Sequence, residues 1–209
     1  MEGLGKQIVI IGGMAAGCKI ASRLSRIRPD FNIIILEKGK YLSFSSCGLP
    51  LFASGELDNI DELNKTSYNT IRDINYFKDV KGITAYTNSE VISILPSEQT
   101  LSYKNLTNQE ISELNYDYLV FATGSTHKKI PFPYHQSRRL SNFSKPEDAL
   151  NFRQLAQKGL IKNAVIIGAG FIGCELAEAM ISLWGIQTTI LEKEDSILPG
   201  FLDKETSAI

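Results

Sequence analysis

A glycine turn between an apolar strand and a helix is the feature that most constrains the fold of this chain. Residues 7–11 (QIVII) form a β-branched run typical of a strand buried on both faces, and Gly12 and Gly13 end it. Apolar residues then recur at helical spacing as far as Ile27, and Pro29 ends the helix. A second buried strand follows at 33–36. Together these elements predict a βαβ unit, which requires a parallel sheet.

The same pattern returns near the end of the sequence. Residues 164–167 predict a strand, 168–173 a glycine turn, 175–183 a helix and 188–191 another strand. The sequence ends at Ile209, before a second domain of this kind could be completed. We therefore expect a C-terminally truncated tandem of two βαβ folds.

The region between the two units predicts a different layer. A helix is expected at 69–78 and a strand at 116–122, whereas 82–103 predicts short consecutive strands in a small antiparallel layer. Residues 125–146 are polar and rich in proline, which is typical of a linker. We therefore expect a three-layer α/β protein with two tandem Rossmann-like dinucleotide-binding domains. The first would occupy residues 1–145, and the second, incomplete, residues 146–209.

Charge and composition exclude several classes of partner. With 22 basic and 23 acidic side chains, the net charge is -1, so no basic field is available for nucleic acid or an anionic membrane. No apolar run approaches the roughly 20 residues that span a bilayer, and no signal-peptide pattern precedes the first strand. The three cysteines and two histidines suit neither a disulfide framework nor a metal site. We therefore expect a cytoplasmic protein without nucleic acid, membrane or metal partners.

The second glycine motif, GAGFIG at 168–173, carries the stronger cofactor signal. Gly168 permits a tight turn, Gly170 lets a pyrophosphate approach the backbone, and Gly173 lets helix and strand pack closely. Glu192, at the end of the next strand, can accept hydrogen bonds from a ribose diol and repel a 2′-phosphate. The motif predicts a nicotinamide dinucleotide and favours NADH over NADPH, although the neighbouring Lys193 weakens that preference.

The first glycine motif, GGMAAG at 12–17, departs from the pattern because Met14 replaces the middle glycine. Glu37 follows Gly17 by about 20 residues, at the tip of the second strand, and restores the expected ribose contact. We assign this site to the adenosine half of FAD. An ordinary βαβ turn with a surface glutamate is the alternative.

Four segments of the chain together resemble one enzyme family. They are YLSFSSCGLPLFASGEL at 41–57, EVISI at 90–94, YDYLVFATGS at 116–125 and GAGFIGCELAEA at 168–179. In this order they resemble the single-cysteine branch of the pyridine nucleotide-disulfide oxidoreductases. That branch includes coenzyme A-disulfide reductases, persulfide reductases, and NADH oxidases and peroxidases. The resemblance implies FAD, NADH or NADPH as cofactors and a full-length homodimer.

Cys47 is the candidate catalytic residue. It lies at an expected loop-to-helix junction, where free backbone amides and the helix dipole favour a thiolate. Cys18 and Cys174 each follow a motif glycine and are expected to be structural. The positions where a dithiol reductase would carry its second cysteine hold Leu42 and Phe52. Cys47 would therefore cycle through a mixed disulfide or a sulfenic acid.

The resemblance also implies binding residues. Coenzyme A contacts are implied at Arg23, Arg26, Ser43 and Ser46, although the two arginines could equally form a solvated helix face. The implied cofactor-binding residues are Gly12, Ala15, Ala16, Gly17, Glu37, Lys38, Val91, Thr123, Gly124, Gly168, Gly170, Phe171, Ile172, Gly173, Glu175 and Glu192. Within this set, the family often places an aromatic gate at Phe171 and a carboxylate near the flavin at Glu175.

The resulting functional prediction is an FAD-dependent NAD(P)H oxidoreductase that reduces a disulfide or persulfide, such as coenzyme A disulfide, through Cys47. The family's NADH oxidases and peroxidases resemble one another in having a histidine at the position of Ala15, so its absence favours sulfur substrates. Two alternatives stay open. One is an NADH oxidase- or peroxidase-like flavoprotein, and the other is a non-catalytic, truncated FAD-binding module.

Overall fold

A computed structural model describes residues 5–127, 139–203 and 205–208 of the chain. Within these ranges the strands are β1 Gln7–Ile11, β2 Asn32–Leu36, β3 Thr84–Tyr86, β4 Ser89–Leu95, β5 Thr100–Asn105, β6 Ile111–Asn115, β7 Tyr118–Phe121, β8 Asn163–Ile167 and β9 Gln187–Leu191. The α-helices are α1 Ala15–Ile27, α2 Leu49–Ser54, α3 Ile74–Lys81, α4 Pro146–Gln157 and α5 Phe171–Ser182.

These elements form two compact units. Unit 1 contains the described residues of Met1–Ser45 and Asn64–Thr126, and unit 2 contains those of Ser46–Leu63 and His127–Ile209. The short segment 46–63, which carries Cys47, thus belongs to the same unit as the second glycine motif. The expected domain limits, 1–145 and 146–209, concern which cofactor each stretch binds and stay a prediction.

Unit 1 is built on a parallel sheet with the strand order β3-β2-β1-β7. In the centre, Val9 lies beside Ile34 on one side and Leu119 on the other. Successive side chains of a strand point to opposite faces, so a central strand that is apolar throughout needs cover on both sides. The continuous apolar composition of β1 and β2 therefore matches their position inside the sheet.

Unit 1 has three layers, as the sequence predicts. On one face, α1 and α3 cover the sheet, and side chains such as Ile10, Ile35 and Phe77 form a buried core. On the other face, Val9 and its neighbours pack against the separate antiparallel sheet β4-β5-β6. The expected combination of a parallel sheet with a small antiparallel layer is confirmed.

Some elements differ from the sequence expectation. The helix expected at 69–78 begins only at Ile74, because the Asp73 carboxylate accepts a hydrogen bond from the Tyr76 amide at 2.8 Å and caps it. The strand expected in GITAY, β3, joins the parallel sheet beside β2 rather than the antiparallel layer. Neither β6 nor α4 is predicted from the sequence, and α4 begins at Pro146, the last residue of the expected linker. Residues 128–138 of that linker lie outside the described residues.

Unit 2 contains the second βαβ unit in the expected order. Strands β8 and β9 are parallel, with Val165 beside Thr189, and α5 connects them. One face of this pair is packed, because Ile166 contacts a core that includes Leu176 and Met180 of α5. Helices α2 and α4 complete the same core through Ala53 and Ala156.

Candidate functional site

The first glycine turn has the steric requirements that the sequence predicts. Gly12 has a φ of +103°, and a Cβ there would lie 2.2 Å from the carbonyl oxygen of Ala122, at the end of β7. A Cβ on Gly17 would lie 1.8 Å from the carbonyl oxygen of Gly12. Both contacts involve backbone atoms, which cannot move aside, so the turn needs glycine at both positions.

The other residues predicted to bind the first cofactor gather mostly at the carboxyl end of the parallel sheet. Exposed Ala15 and Ala16 start α1, and exposed Thr123 and Gly124 follow β7. Ligands of open α/β sheets bind in the crevice outside these strand ends. The remaining member, Val91, lies on β4 of the antiparallel sheet and packs against the sheet core.

The acidic residue after β2 holds the turn together. The Glu37 carboxylate is buried and accepts hydrogen bonds from the amides of Gly13 at 2.5 Å and Gly39 at 2.6 Å. An ionised carboxylate offers about four acceptor positions, so ribose hydroxyls can still be accommodated. Beside it, Lys38 forms an exposed ion pair with Glu90 at 2.6 Å.

The second glycine turn repeats the geometry of the first. Gly168 has a φ of +105°, and a Cβ on Gly173 would lie 2.1 Å from the carbonyl oxygen of Gly168. The Gly168 amide donates to the carbonyl oxygen of Leu191 at 2.8 Å, as the Gly12 amide donates to that of Leu36 at 2.8 Å. The two units therefore contain the same strand-turn-helix construction.

The acidic residue after β9 makes the same contact as the acidic residue after β2. Glu192 accepts a hydrogen bond from the Ala169 amide at 2.6 Å, as Glu37 does from the equivalent amide in unit 1. This hydrogen bond is the main reason that the pKa of Glu192 lies below its usual value, so the carboxylate is ionised at neutral pH. Lys193 beside it forms an ion pair with Glu194 at 2.8 Å.

Gly170 shows that the second turn has room for a ligand. Its φ of -78° is accessible to any residue, and a Cβ built on it meets nothing within 4 Å. The packing of the protein itself therefore does not require glycine here. The open space beside this backbone lets a bound group approach it closely, and the turn thus fits a dinucleotide pyrophosphate.

The first turn fits the same kind of group, although it has Met14 at the corresponding position. Met14 is the N-cap of α1, with a φ of -82°, as Gly170 is the N-cap of α5. The backbone direction at the helix start is thus retained. The first-turn amides of α1 are available for phosphate oxygens, as in other helix N-termini.

The remaining predicted residues of unit 2 lie on the first turns of α5. Phe171 and Ile172 are more than half exposed, and Glu175 is also exposed. The ring of Phe171 packs edge to face against Phe201, with the ring centres 4.8 Å apart. An exposed aromatic pair thus stands beside the second glycine turn.

Cys47 is exposed and lies in a short 3-10 turn, Ser46–Gly48, that leads directly into α2. The expected loop-to-helix junction is therefore present. Ser46, which the family resemblance assigns to substrate, is exposed in the same turn. Both side chains are accessible to a dissolved substrate.

The other two cysteines have structural environments. The thiol of Cys18 is buried and lies 2.9 Å from the carbonyl oxygen of Gly13, and burial raises its pKa to about 12. The thiol of Cys174 lies 3.6 Å from the carbonyl oxygen of Ala169, the equivalent position in the second turn. A buried thiol with a raised pKa is a poor nucleophile, so Cys18 is not a competitor of Cys47.

Two residues at the first turn are missed by sequence reasoning. A Cβ on Gly13 would lie 2.6 Å from the side chain of Leu42, so this glycine is needed for packing. The Arg72 guanidinium donates to the Ser43 hydroxyl at 3.1 Å, while the Ser43 amide donates to the Gly13 carbonyl at 2.8 Å. Ser43 has a φ of +50°, so Arg72 supports a strained residue. The doubled glycine is visible in the sequence, whereas no local pattern marks Arg72.

The arginines of α1 divide into two groups. Arg23 and Arg26 are exposed, lie three positions apart on the helix, and form no ion pair with any described residue. Arg28 instead forms an ion pair with Asp30 at 2.7 Å. Of the three, Arg23 and Arg26 are therefore available to an anionic ligand.

Two features are absent from the described ranges. No helix there is long and apolar enough to cross a membrane. No group of three or more His, Cys, Asp or Glu side chains there could hold a metal ion.

Comparisons with known proteins agree with these features. Residues 6–209 match the family described as pyridine nucleotide-disulphide oxidoreductase. The chain is 31% identical over 208 residues to the NAD(P)H coenzyme A polysulfide/persulfide reductase of Pyrococcus horikoshii. It is 30% identical over 192 residues to the coenzyme A disulfide reductase of Staphylococcus haemolyticus. Among solved structures, an NAD-dependent persulfide reductase from A. fulgidus matches with a TM-score of 0.90 and 37% identity.

These similarities cover the chain but only part of each relative. The matches span 100%, 92% and 97% of this chain, against 44%, 41% and 37% of the P. horikoshii, S. haemolyticus and A. fulgidus proteins. The chain thus spans less than half the length of the relatives that it matches.

Proposed function

The chain belongs to the pyridine nucleotide-disulphide oxidoreductase family, and from this premise we propose that it is an FAD-dependent NAD(P)H oxidoreductase. Its substrate would be a disulfide or persulfide, such as coenzyme A disulfide, and Cys47 would be its redox centre. One observation carries the proposal: the same dinucleotide-type turn occurs in both units, on a chain with a single exposed cysteine among its described residues.

The two turns would hold two different dinucleotides. In unit 1, Gly12, Gly17 and the start of α1 would receive the FAD pyrophosphate, with Glu37 near the adenosine ribose. In unit 2, Gly168, Gly170 and Glu192 would do the same for NAD(P)H. Bound flavin would supply the two-electron relay between the hydride donor and sulfur.

Cys47 would perform the sulfur chemistry. Its thiolate attacks one sulfur of the substrate disulfide, the S–S bond breaks, and the other half leaves as a thiolate. A mixed disulfide between Cys47 and the retained half results. Two electrons that originate from NAD(P)H then break this bond, restore the Cys47 thiolate and release the second thiol. The sum is one disulfide, one NAD(P)H and one proton converted to two thiols and NAD(P)+.

The second unit favours NADH as the electron donor. Ionised Glu192 would repel a 2′-phosphate and accept hydrogen bonds from a free ribose diol. Lys193, the nearby cation that could have favoured NADPH, is already paired with Glu194. We therefore propose NADH as the preferred donor.

Substrate binding would use polar side chains that precede Cys47 in the sequence. Coenzyme A carries phosphates, and Arg23 and Arg26 are free cations that suit them. Ser43 and Ser46 would add hydrogen bonds. A homodimer of the full-length protein remains part of this proposal.

The decisive experiment compares Cys47→Ser with Cys174→Ser in the purified, flavin-loaded protein. NADH oxidation is followed anaerobically with coenzyme A disulfide as the acceptor. We expect turnover in the parent and in Cys174→Ser, and only background rates in Cys47→Ser, because a hydroxyl cannot cycle through a disulfide.

Three outcomes would contradict the proposal. Undiminished turnover in Cys47→Ser would remove the cysteine from the reaction. NADH loss that needs oxygen and no disulfide would identify an NADH oxidase. A colourless protein that neither retains flavin nor oxidises NADH would identify a non-catalytic binding module.

A further inference from the structure

The segment that follows Cys47 is held in place by unit 2. After the 3-10 turn comes α2, a helix of 6 residues, in which Ala53 is fully buried against Ala156 and Leu176. Isolated helices shorter than about 12 residues are marginal in water. The position of α2, and of the turn that carries Cys47, therefore depends on contacts with the rest of unit 2.

Two side chains from distant parts of the sequence bind the carboxyl end of α2. Trp184, just after α5, donates its indole N–H to the Ala53 carbonyl oxygen at 2.8 Å. Arg153, on α4, donates through Nη1 to the carbonyl oxygens of Phe52, at 3.3 Å, and Leu57. The last carbonyls of a helix lack partners within the helix, and Trp184 supplies one for Ala53. The Phe52 carbonyl oxygen also accepts from the Gly55 amide at 3.2 Å, so Arg153 adds a second donor there.

Packing and charge strengthen both contacts. The Arg153 guanidinium lies over the Phe52 ring, 4.5 Å from its centre, and a cation is favourable at a helix C-terminus. Trp184 lies against Gly55, the left-handed residue that ends α2, with its Cζ2 atom 3.7 Å from the position of a Cβ. The two side chains thus hold the end of α2 opposite to the one where Cys47 lies.

We propose that Arg153 and Trp184 are positioning residues for Cys47. They act through α2: by fixing its carboxyl end, they keep the Ser46–Gly48 turn, and the sulfur on it, in one place. The proposal rests on the proposed function of Cys47. The contact of Trp184 with α2 also gives a structural link between Cys47 and the second glycine turn. Helix α5 begins at that turn, and Trp184 follows its other end.

The test uses four variants of the flavin-loaded protein. Trp184→Phe keeps an aromatic ring but removes the donor, and Arg153→Met removes the charge and the donors. Arg153→Lys restores the charge and N–H donors but not the planar guanidinium. Lys158→Met is the matched control, because it removes an exposed cation directly after α4. Thermal unfolding first establishes that each variant is folded.

Two measurements separate a positioning role from a merely structural one. Stopped-flow absorbance follows flavin reduction by NADH and, separately, flavin reoxidation by coenzyme A disulfide. We expect reoxidation to slow by about fivefold or more in Trp184→Phe and Arg153→Met, as for the loss of one hydrogen bond. Arg153→Lys should recover part of the rate. Flavin reduction by NADH should stay unchanged, and Lys158→Met should match the parent in both steps.

Hydrogen exchange gives a readout that does not depend on activity. Amides of residues 46–57 should exchange faster in Trp184→Phe and Arg153→Met than in the parent. Unchanged exchange would overturn the proposal, as would faster exchange with unchanged reoxidation, since the two residues would then be structural only. Turnover that survives in Cys47→Ser would instead refute the proposed function and leave the exchange result standing.

Discussion

At the residue scale, a glycine can be required by the protein's own backbone or by a group that the protein binds. The second turn contains both kinds. A Cβ on Gly173 would collide with the Gly168 carbonyl oxygen, whereas a Cβ on Gly170 would enter open space. These surroundings fit the different roles that the motif predicts for the two glycines, ligand approach at Gly170 and close packing at Gly173.

This difference gives a prediction for two alanine variants. Gly170→Ala should lower the thermal unfolding midpoint only by the small cost of alanine at an N-cap. It should weaken NADH binding by about tenfold, because about 1.5 kcal/mol of phosphate-amide hydrogen bonding is lost. Gly173→Ala should lower the unfolding midpoint instead, because the added Cβ would force α5 away from the Gly168 carbonyl oxygen. Calorimetry and fluorescence titration with NADH measure the two effects. Equal destabilisation by both variants would argue against a ligand role for Gly170.

At the scale of single elements, helix α3 shows how a cap decides where a helix begins. Apolar spacing suggests a start near residue 69, but the Asp73 carboxylate holds the Tyr76 amide and sets the start at Ile74. The other end is set by Gly82, with a φ of +64°. Residues 69–73 are consequently free to pair elsewhere, and the Arg72 amide donates to the Asn64 carbonyl oxygen at 2.9 Å.

The contribution of this cap can be measured directly. Asp73→Ala should lower the free energy of unfolding by about 1 kcal/mol, the usual cost of losing an N-cap side chain. Asp79→Ala is the control, because it removes the same charge from the same helix without touching the cap. Urea unfolding followed by circular dichroism provides the comparison. If both variants lost the same stability, charge rather than capping would explain the effect.

At the scale of the whole molecule, the chain repeats one construction in two compact units. The glycine turn, the acidic residue after the second strand and the cysteine near the start of the helix recur with matching hydrogen bonds. Two equivalent turns in two separate units are expected to bind their ligands separately. Each ligand should then stabilise the protein by mass action on its own site.

A variant of one unit should therefore affect one ligand only. NADH at a hundred times its dissociation constant should add about 2.7 kcal/mol to the free energy of unfolding of unit 2. If Glu192→Ala weakens NADH binding about tenfold, the same NADH concentration should add only about 1.4 kcal/mol. FAD retention should not change, and Glu194→Ala should behave like the parent. Loss of flavin from Glu192→Ala would contradict this assignment of ligands to units.

The sequence by itself determined the two βαβ units and their glycine turns, and it predicts Cys47 as the redox cysteine. These features depend on short-range rules: apolar periodicity identifies strands and helices, and the steric limits at Gly17 and Gly173 act between residues five positions apart in the chain. Family resemblance supplied the list of binding residues, and the structure gathers most of these at the strand ends and helix starts.

Only the tertiary structure decided which distant residues support these sites. The parallel pairing of β3, the contact of Arg72 with Ser43 and the contacts of Arg153 and Trp184 with α2 join residues far apart in sequence. The same is true of the buried environment of Cys18, which separates it from exposed Cys47. No local pattern encodes such contacts, because each depends on how complete elements pack and on which carbonyl or hydroxyl groups that packing leaves without a partner.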